Sequence, residues 1–78
     1  MAIIKWFGTT SSVANVAANW GGALPTSSDI PTFTGTVSNP CDMTTLGNQT
    51  YQQINITADF SETVTFDGQT ITLTDGIG

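Results

Sequence analysis

Three short segments in the second half of the chain alternate between polar and apolar residues, and they constrain the fold more than any other feature. They cover residues 53–57, 63–66 and 70–74. Because successive side chains of a β-strand point to opposite faces, the alternation predicts strands with one apolar face each. The side chains expected to point into the core are Ile54, Ile56, Val64, Phe66, Ile71 and Leu73.

The Asp67-Gly68 pair between two of these segments is a turn signal that fits two architectures. Between alternating strands, Asp-Gly is typical of a β-hairpin. It also suits the corner of a β-solenoid, in which short strands stack coil on coil. The predicted fold class is therefore all-β, as either a small β-sandwich or a short β-solenoid-like fold.

The first part of the chain is less regular than the second. Residues 2–7 and 30–36 are rich in β-branched and aromatic side chains, which predicts two further strands. Pro31 has no backbone N–H, which favours an edge strand or a strand start. Ser12 is a favoured helix N-cap, and at most one short helical turn is predicted near residues 12–18.

The length of 78 residues predicts one small domain, residues 1–78, and a domain of this size is only marginally stable by itself. We divide it into a Trp-containing, cap-like segment (residues 1–40) and a segment of regular short strands (residues 41–78). Small domains usually gain stability from disulfides, a metal or partner chains. Cys41 is the sole cysteine and the chain has no His, which argues against a disulfide and a zinc site. Association with other chains is the expected supplement.

Charge is scarce, since only 9% of the residues are charged and the net charge is −5. Lys5 is the only basic side chain, so binding to nucleic acid or to an anionic membrane is not expected. No apolar run is long enough to span a bilayer, and the stretch from Met1 to Lys5 does not resemble a signal peptide. We expect synthesis in a cytoplasm. The few charges also suggest that part of the surface is buried in an assembly.

No arrangement of residues predicts catalysis, a cofactor or a metal, and we expect a protein that is not an enzyme. The acidic residues all fall at predicted turns or strand ends, where Asp is favoured for local hydrogen bonding. Cys41 has no His to act as its base and is interpreted as a small buried hydrophobe. The six acids are Asp29, Asp42, Asp59, Glu62, Asp67 and Asp75.

The aromatic side chains have two interpretations. Trp6, Trp20 and Phe33 supply much of the bulk that a small core needs, so we assign them to the core. The alternative is a carbohydrate-binding or adhesin module, in which exposed aromatics such as Tyr51 and Phe60 stack on sugars.

The cap-like segment, residues 1–40, resembles a pattern found at the start of phage virion proteins and bacterial β-solenoid adhesins. The residues that carry the resemblance are Trp6, Ala18-Asn19-Trp20, Gly21-Gly22, Leu24-Pro25, Asp29, Phe33 and Pro40. The resemblance implies a structural role, either as a capsid decoration or cement protein or as the base of a head fibre. It also implies a homo-oligomer, with a trimer favoured, that binds the major capsid protein on the virion surface. In the adhesin version, the same segment is the N-terminal cap of a solenoid tail spike or fibre, with Trp20 covering the end of the core.

Contact segments are expected at the two ends of the chain, because terminal strands lack a second neighbour. The candidate interface residues are Ile3, Ile4, Lys5, Phe7, Asp75 and Ile77. Affinity is expected to come from apolar and backbone contacts, including strand addition at an open edge.

Overall fold

The structure, a computed structural model, describes residues 2–75 and consists of short strands joined by turns. Within that range there are seven strands and two single-turn 3₁₀ helices, at Ala17–Trp20 and Met43–Leu46, which confirms the all-β prediction. The strands are β1 (Ile3–Lys5), β2 (Ile30–Phe33), β3 (Cys41–Asp42), β4 (Gln49–Tyr51), β5 (Asn55–Ile56), β6 (Val64–Thr65) and β7 (Ile71–Leu73).

All of the described strand pairs are parallel, and each strand pairs with one from the next turn of the chain. The sheets have the orders β1-β2-β5, β3-β6 and β4-β7. Thr32 pairs with Asn55, Cys41 with Val64 and Gln49 with Ile71, so the spacing between paired positions is nearly constant along the chain. A parallel bridge from Val13 to Asp42 extends the second sheet backwards. The architecture is a short β-solenoid.

Three stacked coils make up the described chain. We call residues 2–29 the first coil, residues 30–52 the second and residues 53–75 the third. The first coil is the longest, because the partners Ile3 and Ile30 are further apart in the sequence than the paired positions of the later coils. The β-sandwich alternative is therefore wrong. The Asp67-Gly68 turn joins β6 to β7, which belong to different sheets, so it forms a solenoid corner and not a hairpin.

Pro31 lies in β2, the central strand of its sheet, so the expected edge position is wrong. Pairing of β2 with β1 covers Ile30, Pro31 and Thr32, whereas pairing with β5 covers only Thr32 and Phe33. The amide of Ile30 donates to Ala2 O on the β1 side, so the next residue faces the β5 side, where the ladder has not yet begun. A residue without an N–H therefore breaks no rung of the sheet.

The predicted helical turn is displaced, and a second one was not predicted. The first 3₁₀ turn begins at Ala17, after Val16, which makes no side-chain cap, and Gly21 ends it in the left-handed conformation with φ of 80°. The second turn follows Asp42, whose side chain accepts a hydrogen bond from the Thr44 amide at 3.0 Å. This cap holds a turn too short to be stable by itself.

The core runs through the centre of all three coils. Trp6 and Trp20 lie in the first coil, Phe33 in the second and Phe60 in the third. Their rings meet edge to face, at centroid distances of 5.0, 5.7 and 5.6 Å along the series. The other buried apolar members of the core are Ala14, Cys41, Met43, Tyr51 and Ile54. Trp6, Trp20, Phe33 and Ile54 thus lie in the core, as the sequence predicts.

The remaining predicted core residues lie in the third coil and are less completely covered. Val64, Phe66, Ile71 and Leu73 are half-buried and pack against the core. Ile56 is 48% exposed, so its assignment to the core is wrong. It occupies the position of the fully buried Phe33 in the neighbouring coil, but no described coil lies over it.

Asn19 is the only buried polar side chain among residues 2–75, and it organises the loop of the first coil. Its Oδ1 accepts hydrogen bonds from Thr10 N and Thr10 Oγ1, both at 2.8 Å, and from Ser11 N at 3.1 Å. Its Nδ2 donates to Ser11 Oγ at 3.2 Å and to Val13 O at 2.9 Å. One amide therefore satisfies backbone groups that no strand partner reaches.

Replacing Asn19 with Ala is expected to destabilise the fold by about 3 kcal/mol or more, because the buried side chain and all of its hydrogen bonds to the loop are lost at once. Urea denaturation followed by tryptophan fluorescence measures the loss. Asn15→Ala is the matched control, because Asn15 is exposed and is expected to change stability by less than about 0.5 kcal/mol. Equal losses for the two variants would contradict the role of Asn19.

Replacing Trp20 with Ala is expected to cost about 3–5 kcal/mol, since the side chain is 3% exposed and packs on Trp6 and Phe33. Its indole N–H also donates to Ala14 O at 2.8 Å, a bond that Trp20→Phe removes while keeping most of the packing. Thermal and urea denaturation of both variants should give a larger loss for Ala than for Phe. Unchanged stability in Trp20→Ala would contradict its role in filling the core of the first coil.

Candidate functional site

Several acidic side chains of the described residues accept hydrogen bonds at turns. Among residues 2–75, no three Cys, Asp or Glu side chains lie close enough to share a metal ion. Two of the acids instead fasten turns. Asp29 Oδ2 accepts from Thr26 N and Thr26 Oγ1, both at 2.8 Å. Asp59 Oδ1 accepts from Thr57 Oγ1 and from Gly35 N of the neighbouring coil. These hydrogen bonds lower the pKa of both carboxyl groups.

Cys41 and Tyr51 are interior groups with suppressed acidity. Cys41 is 1% exposed, and burial, followed by the nearby charge of Asp42, raises the pKa of its thiol to about 12. Tyr51 is fully buried, and burial raises the pKa of its hydroxyl to about 12. Cys41 is thus a small core residue, as expected, and a thiol of such high pKa is a poor nucleophile.

The aromatic sugar-binding platform is not present. Tyr51 is fully buried, and Phe60 is half-buried and packs edge to face on Phe33. Neither ring offers the open face that stacking on a sugar requires. The assignment of Tyr51 and Phe60 to an exposed binding surface is therefore wrong.

Two shallow cavities are described, and they differ in chemistry. One, of about 250 Å³, lies against β4 and β7 and has only hydroxyl and amide side chains in its lining: Ser27, Asn48, Gln49, Thr50, Thr70 and Thr72. The other, of about 300 Å³, is mostly apolar and is lined by Ile54, Phe66, Gln69, Ile71 and Leu73, all from the third coil. Neither contains an ionisable side chain.

The apolar cavity lies at the third coil, at the end of the part of the solenoid that the structure describes. We call this the open end. Strands β5, β6 and β7 each have one described partner, in the second coil, so their other edges are unpaired within residues 2–75. The same coil contains the half-buried Val64, Phe66, Ile71 and Leu73 and the exposed Ile56. Backbone donors, backbone acceptors and apolar side chains are therefore presented together.

The opposite end, formed by the first coil, is filled and is called here the closed end. Trp6 is completely buried, and its indole N–H donates to Asn39 O in the second coil at 2.9 Å. Gly8 follows with φ of +60°, and an added Cβ there would lie 2.8 Å from Asn39 O. The amides of Phe7 and Gly8 both donate to Asn19 O, at 2.8 and 3.1 Å. The chain thus closes over its own first coil.

The candidate interface residues divide between surface and core. Ile3 is 67% exposed and Phe7 is 40% exposed, with Lys5 Nζ 5.2 Å from the centre of the Phe7 ring. Ile4 is half-buried and packs against the core, because alternation in β1 turns it inward; its place in an interface stays a prediction. Asp75 is exposed and accepts from Gln52 Nε2 at 2.6 Å. Ile77 lies outside the described residues.

Sequence reasoning missed that several predicted core residues also form a site. Alternation assigns Phe66, Ile71 and Leu73 to a core, and they line the apolar cavity because no described coil lies over them. To find this site, one must know that the strands pair in parallel and stack as coils, and alternation does not contain that information.

No protein-family model matches the chain, and comparisons with curated proteins and with solved structures give no significant match. Within residues 2–75, no helix is long and apolar enough to cross a membrane. Function must therefore be argued from the geometry of the two ends.

Alkaline pH is expected to weaken the fold through Cys41 and Tyr51. Both have a pKa near 12 when folded, against ordinary values of 9.0 and 10.0. A raised pKa stabilises the folded state fully below the ordinary value, and this contribution is lost as the pH rises towards the folded value. Urea denaturation at a series of pH values should show stability falling above about pH 9.

Tyr51 is the sole tyrosine, so tyrosinate absorbance reports it alone. In Cys41→Ala the decline should begin about one pH unit later, because only Tyr51 then contributes. A Tyr51 titration midpoint near 10 in the folded protein would contradict its burial.

Proposed function

We propose that this chain is a non-enzymatic structural protein that forms the closed end of a β-solenoid assembly on the surface of a phage particle. The observation that carries the proposal is the difference between the ends of the molecule. In the first coil Trp6 and Trp20 are at most 3% exposed, whereas most inward residues of the third coil are only half-buried, namely Val64, Phe66, Ile71 and Leu73. The core is filled at one end, and the other end is arranged for a neighbour.

The closed end supports the role of a terminal cap. A solenoid end that is exposed to water must cover its core and satisfy its free backbone groups. Here Trp20 helps to fill the core, and Asn19 bonds the loop that no strand partner reaches. These two residues form the Asn-Trp pair of the resemblance, so the pattern has a physical reason in this molecule.

The open end supports an assembly role. Unpaired strand edges are templates for another chain, and natural proteins usually protect them with charge, proline or a covering element. The inward side chains Phe66, Ile71 and Leu73 border an apolar cavity beside three such edges. A neighbour that adds strands here would continue the ladder and cover the apolar surface.

The location on a phage particle rests on the resemblance carried by the cap-like segment, residues 1–40. Under this proposal the major capsid protein or a fibre attached to it is a partner, and the chain works as a homo-oligomer. Decoration of the capsid and capping of a fibre share the same requirement, a small module whose open end associates with a neighbour. The trimer implied by the resemblance stays a prediction.

Particle association tests the proposal directly. Tagged copies of the wild-type chain, Ile56→Asp and Thr50→Asp are expressed during infection, and particles are separated from soluble protein on a density gradient. Wild type and Thr50→Asp should sediment with the particles. Ile56→Asp should stay in the soluble fraction, because it places a charge in the apolar open end, where desolvation is costly.

Thr50→Asp is the matched control, since it adds the same charge to an exposed position on the side of the solenoid. Circular dichroism and tryptophan fluorescence of each purified variant establish that it is folded. A folded wild-type chain that stays entirely in the soluble fraction would refute the proposed particle role.

A further inference from the structure

We propose that the partner at the open end is a second copy of this chain, stacked head to tail so that β1 of one copy pairs in parallel with β5 of the other. This inference rests on the proposed structural function and names the occupant of its assembly site. It is carried by three features of the two ends: strand direction, exposed apolar side chains and charge.

The strand edges of the two ends are complementary. Strands β1, β2 and β5 run in the same direction, and β1 and β5 are the outer strands of their sheet. Thr57 N donates to Phe33 O at 3.0 Å, so alternation directs the amide of Ile56 to the unpaired edge. A copy shifted along the solenoid axis would offer β1 to this edge with the parallel direction preserved.

The existing register also defines which residues would meet. Lys5 pairs with Thr32, and Thr32 pairs with Asn55, so these three positions of successive coils form one column along the solenoid axis. In the proposed stack, Lys5 of the second copy would follow Asn55 in this column. One position earlier, Ile4 of that copy would extend the column of Pro31 towards Ile54, whose side chain lines the apolar cavity. The inward side chains of the first coil of the second copy would thus stack on the inward side chains of the third coil.

Exposed apolar side chains are concentrated at the same two ends. Among the described residues, the large exposed hydrophobic side chains are Ile3, Phe7 and Val13 in the first coil and Ile56 in the third. The second coil has none in that set. Apolar groups that collect at exposed ends mark surfaces for association.

Charge favours this arrangement over two open ends meeting. Four of the six acids lie in the third coil, namely Asp59, Glu62, Asp67 and Asp75, whereas the only basic residue, Lys5, lies in the first. A two-fold pairing of open ends would bring the acids of both copies together. Head-to-tail stacking brings them to the coil that carries Lys5 and one acid, Asp29. Asp29 of the second copy then follows Asp75 at one corner, but fewer acids meet than in the two-fold pairing.

The assembly would be open-ended, because a head-to-tail contact leaves one free end of each kind. In sedimentation velocity of the wild-type chain from about 10 μM to about 1 mM, dimers and then longer species should appear as concentration rises. A two-fold contact would stop at the dimer, and that result would overturn the proposal. A chain that stays monomeric over the whole range would overturn it as well.

Two end-specific variants give the sharper test. Ile3→Asp damages the closed end and Ile56→Asp the open end, and each should weaken self-association at least about tenfold, because a carboxylate is desolvated in the contact. Mixed in equal amounts, the variants should recover a dimer with one copy of each and nothing longer. In this mixture, Ile56→Asp supplies an intact closed end and Ile3→Asp an intact open end, and a single head-to-tail contact requires one of each.

Thr50→Asp is again the control, and it should assemble like wild type apart from the small effect of one added charge. If Ile3→Asp does not fold, Lys5→Glu replaces it, since Lys5 is at the same end. Dimers formed by Ile3→Asp alone with wild-type affinity, or no recovery in the mixture of folded variants, would overturn the proposal. These outcomes leave particle association intact, so they are distinguishable from failure of the proposed function.

Discussion

Strands in this molecule depend on the neighbouring coils for their backbone hydrogen bonds, and this dependence governs the rest of the structure. A coil between two others can satisfy both edges of its strands, whereas a coil at an end can satisfy only one. With three described coils, β2 alone has a partner strand on both sides. In a short solenoid, therefore, most strands have one unpaired edge, and the two ends of this chain differ in how they cover the core beside those edges.

The first end is closed by side chains instead of by a covering helix or a disulfide. The Asn19 amide accepts three hydrogen bonds and donates two, all to residues 10–13. Trp6 and Trp20 fill the space beneath, and both indole N–H groups find carbonyl acceptors, Asn39 O and Ala14 O. The first coil thus supplies both the apolar side chains that fill the core and the hydrogen bonds that satisfy its loop. Its extra length provides the room for these residues in an otherwise regular stack.

Alternation predicted the class of fold and most inward residues, but it could not predict the direction of pairing. A period of two is the same in parallel and antiparallel sheets, so Asp67-Gly68 fitted a hairpin as well as a corner. Alternation cannot show the exposure of Ile56 either, because its pattern is that of a core residue. Ile56 differs only in lying in the third coil, over which no described coil is stacked. The sequence predicts a core position for the Trp of the Asn-Trp pair. It does not predict the hydrogen bonds of Asn19, because these depend on a loop geometry that sequence patterns do not contain.

Stacking also gives a reason for the scarcity of charge, which composition alone linked to burial in an assembly. Equivalent outward side chains of successive coils stand about 4.8 Å apart, and like charges at that spacing repel. The observed columns avoid this: Thr50 pairs with Thr72, and Lys5 is followed by Thr32 and Asn55. At one corner the neutral Gln52 lies between Asp29 and Asp75. The amide of Gln52 donates to Asp29 O, and the amide of Asp75 donates to Gln52 O. The acids gather in the third coil, where no described coil stacks above them. A neutral or basic contact face would therefore suit the open end best, and Lys5, the only basic residue of the chain, lies in the first coil.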